Sequence, residues 1–216
     1  MKNVFLKRVA IIAIAATMCM AANAQSGFGV QAGLNLSKFW GSDAPNSQIK
    51  PGIRLGIESL VEDPKLKNFF VSSVILFAQQ GAKINGVFLG EEVNAEMTLN
   101  SFQYHINVRY PFNLGNDIGV FFQAGTYMGF TFSAKQKTEE NGEWKSTKLK
   151  MGFFEEGKMS FLDAGLGFGA GVLVMKNFQV GVGYNFSFLP IVSSSDWVNM
   201  YNSNWSFTAT YFFGKK

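Results

Sequence analysis

Five charged or titratable side chains stand where chemistry could be built: Arg54, Glu58, His105, Arg109 and Asp163. Each lies on the polar side of a stretch in which apolar and polar residues alternate. A histidine can exchange a proton near neutral pH, so a proton or ligand site among these groups is one reading. Serine chemistry is a second, because a Ser-His-Asp/Glu set can activate a hydroxyl. It would have to use His105, the one histidine of the chain. No serine stands out as its partner, and a lone histidine supports neither a metal cage nor a His-Asp pair by itself. The third reading is structural. A buried charge needs an opposite partner, and these five would then form a polar network filling an interior. That reading is the expectation, with no catalytic residue, no metal site and no cofactor. The glycines at 165, 167, 169 and 171 do not suggest a phosphate loop. They alternate strictly, and no helix follows them.

A second group points outward. The segment from Lys135 to Lys158 carries six Lys and five Glu, with Trp144 among them. A later segment holds Trp197, Met200 and Tyr201. Mixed charge suits a solvated surface. Loops on a rigid scaffold also carry recognition, so Trp144, Trp197 and Tyr201 are candidate contacts for a surface ligand or partner. The aromatics of the later segment suit interface anchoring equally well.

The elements that position these residues are strands. Period-two alternation recurs in eight segments, near 28–36, 53–58, 69–80, 102–110, 120–131, 162–172, 178–188 and 205–213. In the fourth, Phe102, Tyr104, Ile106, Val108 and Tyr110 oppose Gln103, His105, Asn107 and Arg109. Successive side chains of a strand point to opposite faces, so such alternation is its signature. The third segment is apolar on both sides, and its facing stays open. Connections after segments two, four and six are short: Glu62 to Asn68, Pro111 to Ile118 and Met175 to Asn177. The others are long, the largest running from about Ser133 to Ser160. An even strand number with alternating short and long connections fits an all-β, eight-stranded antiparallel up-and-down transmembrane barrel.

A soluble lipocalin-like ligand carrier would share the period but hide its bulky face inside. Here the bulky apolar face opposes one of Gly, Gln, Asn, Ser and Thr. Lipid suits the first face and a narrow lumen suits the second. Aromatics fall near strand ends, as interfacial girdles do. Phe69, Phe70, Tyr110, Phe112, Phe178 and Phe213 are expected at one rim, and Phe39, Trp40, Phe132, Phe188 and Trp205 at the other.

The N-terminus reads as a leader over residues 1–24, with residues 25–216 as the barrel domain. Lys2, Lys7 and Arg8 precede an apolar run from Val9 to Met20, and Ala22-Asn23-Ala24 gives the small-x-small cleavage pattern. The run is too short to span a membrane as a helix, which needs about 20 residues. Cys19, the sole cysteine, lies inside it. Ala16-Thr17-Met18 is a poor context for acylation there. Beyond the leader, 16 basic residues face 15 acidic ones, so the basic character gives no nucleic-acid signal. The chain holds 23 Phe and 23 Gly against 5 Pro, and no composition break divides it.

Several segments also resemble a family. Val30-Gln31-Ala32-Gly33-Leu34-Asn35-Leu36-Ser37, Lys50-Pro51-Gly52, Gln79-Gln80-Gly81-Ala82-Lys83 and Phe178-Gln179-Val180-Gly181-Val182-Gly183-Tyr184 look like the PorT-like outer-membrane β-barrel family of Bacteroidota. The glycine pattern from Asp163 to Gly171 matches as well, so the resemblance spans essentially residues 25–216. It departs at Ser72, Val74, Gln103 and His105, where lumen Glu and Pro are common, and at the Gly214-Lys215-Lys216 end after Phe213. The resemblance implies fold and outer-membrane location, and no single activity. The expectation is a monomeric barrel in outer-membrane lipid with a plugged lumen, acting structurally or in surface recognition. An accessory subunit of a secretion or assembly complex is the main alternative, with a secretion-complex protein as partner.

Overall fold

The computed structural model describes residues 27–44, 46–62, 68–88, 91–115, 118–140, 143–152, 158–174, 177–193 and 200–213. The leader and Trp197 lie outside the described residues. Eight long strands follow one another: β1 Phe28–Trp40, β2 Lys50–Glu62, β3 Phe70–Phe88, β4 Glu91–Gly115, β5 Ile118–Glu140, β6 Leu162–Val174, β7 Phe178–Pro190 and β8 Tyr201–Phe213. Each pairs antiparallel with the next, and β8 returns to β1 with Phe28 opposite Phe213 and Trp40 opposite Tyr201. The ring is closed. Closure leaves no unpaired edge in the wall, which is what a strand structure in hydrocarbon requires.

The usual distribution of burial is inverted. Gln31, Asn35, Glu58, Gln103, Arg109, Gln179 and Asn204 are buried, while Leu34, Leu55, Phe102, Phe122, Phe168 and Phe207 are exposed. In water such an apolar surface would be unfavourable; in lipid it is matched. Outward residues of β8 run from Phe213 through Tyr211, Phe207 and Trp205 towards Tyr201. At about 3.3 Å per residue and a tilt near 40°, these eight to twelve steps cover roughly 20–30 Å, which brackets the apolar band of an outer-membrane barrel.

Both described chain ends and the strand ends flanking the three short connections lie at one rim. There Gly115 takes a φ of 91°, which favours glycine, and Asn113 Oδ1 accepts its N–H at 3.0 Å. Rings stack edge-on around this rim, Phe69 on Tyr110, Tyr110 on Phe112 and Tyr211 on Phe213. Around the other, Phe77, Phe102 and Phe132 form one cluster, and Trp40 packs on Tyr201 with centroids 4.9 Å apart.

The open facing of β3 is settled by its register. Ser72, Val74, Leu76, Ala78 and Gln80 point inward, and Phe77 pairs outward with Phe102. Two expectations need correction. Phe39 is not a girdle residue. It is 2% exposed, inside an apolar cluster, because its odd position shares the inward face of Gln31, Asn35 and Ser37. The long connections after β3 and β5 are not plain loops either. The β3–β4 hairpin stays paired to Phe88 and Glu91, and β5 continues to Glu140 before turning into a strand at Glu143–Lys148. The β3–β4 hairpin keeps one apolar face, with Ala82, Met97 and Leu99 turned to a buried apolar cluster. The end of β5 and the strand Glu143–Lys148 are polar on both faces, so hydrophobic alternation fades there while backbone pairing persists.

Candidate functional site

The lumen gathers all five expected residues, in two hydrogen-bonded groups with Arg54 between them. Near the rim with the short turns, Glu58 on β2 is fully buried. Its carboxylate accepts from Arg109 Nη2 at 2.6 Å, Ser72 Oγ at 2.8 Å and Gln179 Nε2 at 2.9 Å. Thr210 Oγ1 and Gln31 Nε2 donate to it at 3.2 and 3.3 Å. Arg109 in turn donates to Gln123 Oε1 and Gln179 Oε1, and its guanidinium lies 4.2 Å over the Phe121 ring. Every charge in this group has partners, which is the condition for holding an ion pair away from water.

The second group forms a circuit nearer the other rim. Asp163 on β6 accepts from Tyr127 Oη at 3.2 Å and from Asn202 Nδ2 at 3.4 Å. Asn202 also donates to Gln80 Oε1, which accepts from Gln103 as well. His105 Nε2 lies 3.1 Å from Gln103 Oε1. That oxygen can only accept, so the assignment puts a ring proton on Nε2. The imidazole stacks on Tyr127 at 5.2 Å and 20°, closing the circuit. Among the described residues no serine bonds to His105 and no group of His, Cys, Asp or Glu is arranged to hold a metal. Asp163 and His105 are linked only through intervening side chains. Arg54 donates to Gln31 Oε1 and Asn35 Oδ1, while its Nε has no partner among the described residues.

The interior holds more bulk than the five charged residues suggest. Phe121, Tyr127 and Phe212 project inward, and the glycines of β6 and β7 make room for the first two. A Cβ on Gly165 would lie 2.6 Å from Tyr127 Cε1, and one on Gly171 would collide with the tip of Phe121. These glycines are seats for aromatic rings. The signal was present in the sequence: Phe121 shares the odd parity of Gln123 and Tyr127, and Phe212 the even parity of Thr210. What remains beside Arg54, Glu58, His105 and Arg109 is a cavity of about 40 Å³, room for a few water-sized bodies.

Above the circuit sits an apolar cap. Phe39, Ala82, Leu99, Ala134, Met159 and Ile191 are buried together, with Leu149, Met151 and Met200 packed against them. Two short segments from the connection after β5, Met151–Gly152 and Lys158–Ser160, pair with each other and with Val192–Ser193. This small sheet carries Met159 into the cluster, so the connection after β5 folds back over the mouth. Beside it the prolonged hairpins form a sheet standing clear of the membrane band. Trp144 lies on its outermost strand, 53% exposed. Tyr201 lies elsewhere, packed on Trp40 at the rim.

A model of the outer membrane protein beta-barrel domain family matches residues 9–213. Among solved structures, the chain is similar to a major outer membrane protein of Thermus thermophilus, at 16% identity and a TM-score of 0.48, covering 87% of this chain and 99% of that one. It is similar to Neisserial surface protein A at 13% identity and a TM-score of 0.46, covering 86% and 97%. The attachment invasion locus protein Ail of Yersinia pestis is similar at 15% identity and a TM-score of 0.44, covering 87% and 99%. No curated protein matches the chain.

Proposed function

The chain belongs to the outer membrane protein beta-barrel domain family and so to the bacterial outer membrane, and from that premise we propose that it is a sealed scaffold. Its lumen conducts nothing, and its work is done by the sheet and cap that it holds outside the membrane. The observation that carries this reading is the filled interior. Two hydrogen-bonded side-chain groups occupy it, inward aromatics fill the glycine-lined wall, and the apolar cluster around Phe39 closes the mouth. An eight-stranded wall encloses just enough space for side chains, so a diffusion pore does not fit. Neither does a soluble carrier, whose outer face would be polar. The five lumen residues are structural in this reading, and no reaction is assigned to them.

A second reading has its own support. The strand Glu143–Lys148 pairs with β5 on one side only, and its other edge is unpaired among the described residues. An exposed edge suits addition of a partner's strand, as an accessory subunit of a secretion or assembly complex would need. The PorT-like sequence motifs support the same reading.

Conductance distinguishes a sealed scaffold from a pore. The purified protein in a planar bilayer at 1 M salt is expected to give a silent baseline under applied voltage. Steady unitary steps from wild-type protein would overturn the sealed-lumen reading.

A further inference from the structure

The standing sheet is two-sided. Residues directly opposite on neighbouring strands share a face, and the registers place Ala82, Met97, Gln136 and Thr147 in one row, with Leu99 and Ala134 in the next. That face meets the cap. The other face holds Lys83 opposite Glu96 opposite Lys137, and beside them Thr98 opposite Lys135 opposite Lys148. All four lysines are exposed. None makes an ion pair among the described residues: Glu96 pairs with Lys50 at 3.1 Å, and Glu139, opposite Trp144, accepts from Asn94 Nδ2 at 2.9 Å. Trp144 lies on this face too, two alternations from Lys148.

The face is continuous with the lipid-facing wall. The pairing of β3 with β4 runs unshifted from Phe70 to Phe88, so Lys83 and Glu96 share the side of Phe77 and Phe102. Phe77 and Phe102 join Phe132 in the ring cluster that marks the upper limit of the apolar band. Lys135 and Lys137 follow Phe132 by three and five residues. At about 3.3 Å per residue and a tilt near 40°, their backbones stand roughly 8 and 13 Å above that ring. This is headgroup depth, within reach of a long, flexible ammonium side chain.

Lys135 and Lys148 are directly opposite each other. Like charges at such a pair are destabilising in an isolated sheet, and an anion between them reverses the sign. We propose that this lysine face docks the phosphorylated headgroups of outer-leaflet lipid, with Lys135 and Lys148 clamping one phosphate and Lys83 and Lys137 flanking it. Trp144 rests against the headgroup layer above. The contact fixes the height and rotation of the standing sheet against the membrane surface. The proposal rests on the barrel's orientation in the membrane and not on the sealed lumen, so this test and the conductance test fail independently.

The test uses the full-length chain refolded in phosphatidylcholine bilayers, with diphosphorylated lipid A titrated in and the midpoint of heat-induced unfolding followed by gel migration. Wild-type protein is expected to gain stability with the phosphorylated lipid and to lose the gain at high salt. The variant K83Q/K135Q/K137Q/K148Q should need about 600-fold more lipid for the same gain, taking a lysine near an anionic surface as worth about fivefold in affinity. In phosphatidylcholine alone it should be at least as stable as wild type, because the repulsion is gone. If the quadruple variant does not refold, K135Q/K148Q serves, with about 25-fold expected on the same basis. Equal response of wild type and variant would overturn the proposal. So would an equal gain from dephosphorylated lipid A, or an equal gain from soluble heparin or inorganic phosphate, which would make the face a site for free polyanions.

Discussion

Glu58→Ala is expected to cost about 3–5 kcal/mol of folding stability, measured by urea-induced unfolding in bilayers. Removing the carboxylate strands Arg109, which is buried and has only the amide oxygens of Gln123 and Gln179 left. Breaking a buried pair from one side costs that much because an uncompensated charge remains. The donors of Ser72, Gln179 and Thr210 lose their acceptor in the same step, and each buried orphan adds to the loss. The double variant Glu58→Met with Arg109→Met removes both charges and should recover most of the deficit, to within about 1–2 kcal/mol of wild type. A loss below about 1 kcal/mol for Glu58→Ala would mean that water reaches the pair and that the interior is wetter than the packing indicates.

Leu34→Arg is the second large effect. Leu34 lies midway along β1, opposite Phe207 and Ile53, and its side chain is 54% exposed. On the surface of a soluble protein this substitution would be nearly neutral. At the midplane of a bilayer an arginine on the lipid face costs about 2–4 kcal/mol, falling to about 0–1 near the interfaces. Phe28→Arg, at the rim end of the same strand, is therefore expected to be mild. A flat profile between the two positions would contradict the lipid-facing assignment.

These two residues show what was legible in the sequence and what was not. Leu34 and Glu58 fall on opposite faces from parity alone, since a one-residue offset moves a side chain to the other face. The strands other than β3 were visible for the same reason. Parity gives the face and says little about depth. It could not say that Phe39 sits above the lumen in a closed apolar cluster, or that Phe121 lies beneath Arg109. It also left β3 undecided, where Val74, Leu76 and Ala78 make the inward side as apolar as the outward one. The standing sheet was hidden because its outer half is polar on both faces, so the run of lysine and glutamate read as a loop. Glutamine and asparagine carry most of the lumen contacts, yet alternation singles out only the charged residues among them. Their role as bridges follows from three-dimensional proximity across the ring, such as Gln179 reaching Glu58 from β7.

Thiol labelling tests the central claim most directly. Residues 25–216 contain no cysteine, so single cysteines can be placed in turn at 204 to 208 on β8 and at 144 on the standing sheet. The reconstituted protein is then exposed to a small, charged, membrane-impermeant reagent. A sealed barrel in lipid predicts reaction at 144 and none from 204 to 208, because the inward positions are packed and the outward ones face hydrocarbon. Reaction at 204, 206 and 208 alone would reveal a water-filled lumen, and reaction at all five would place the whole wall in water.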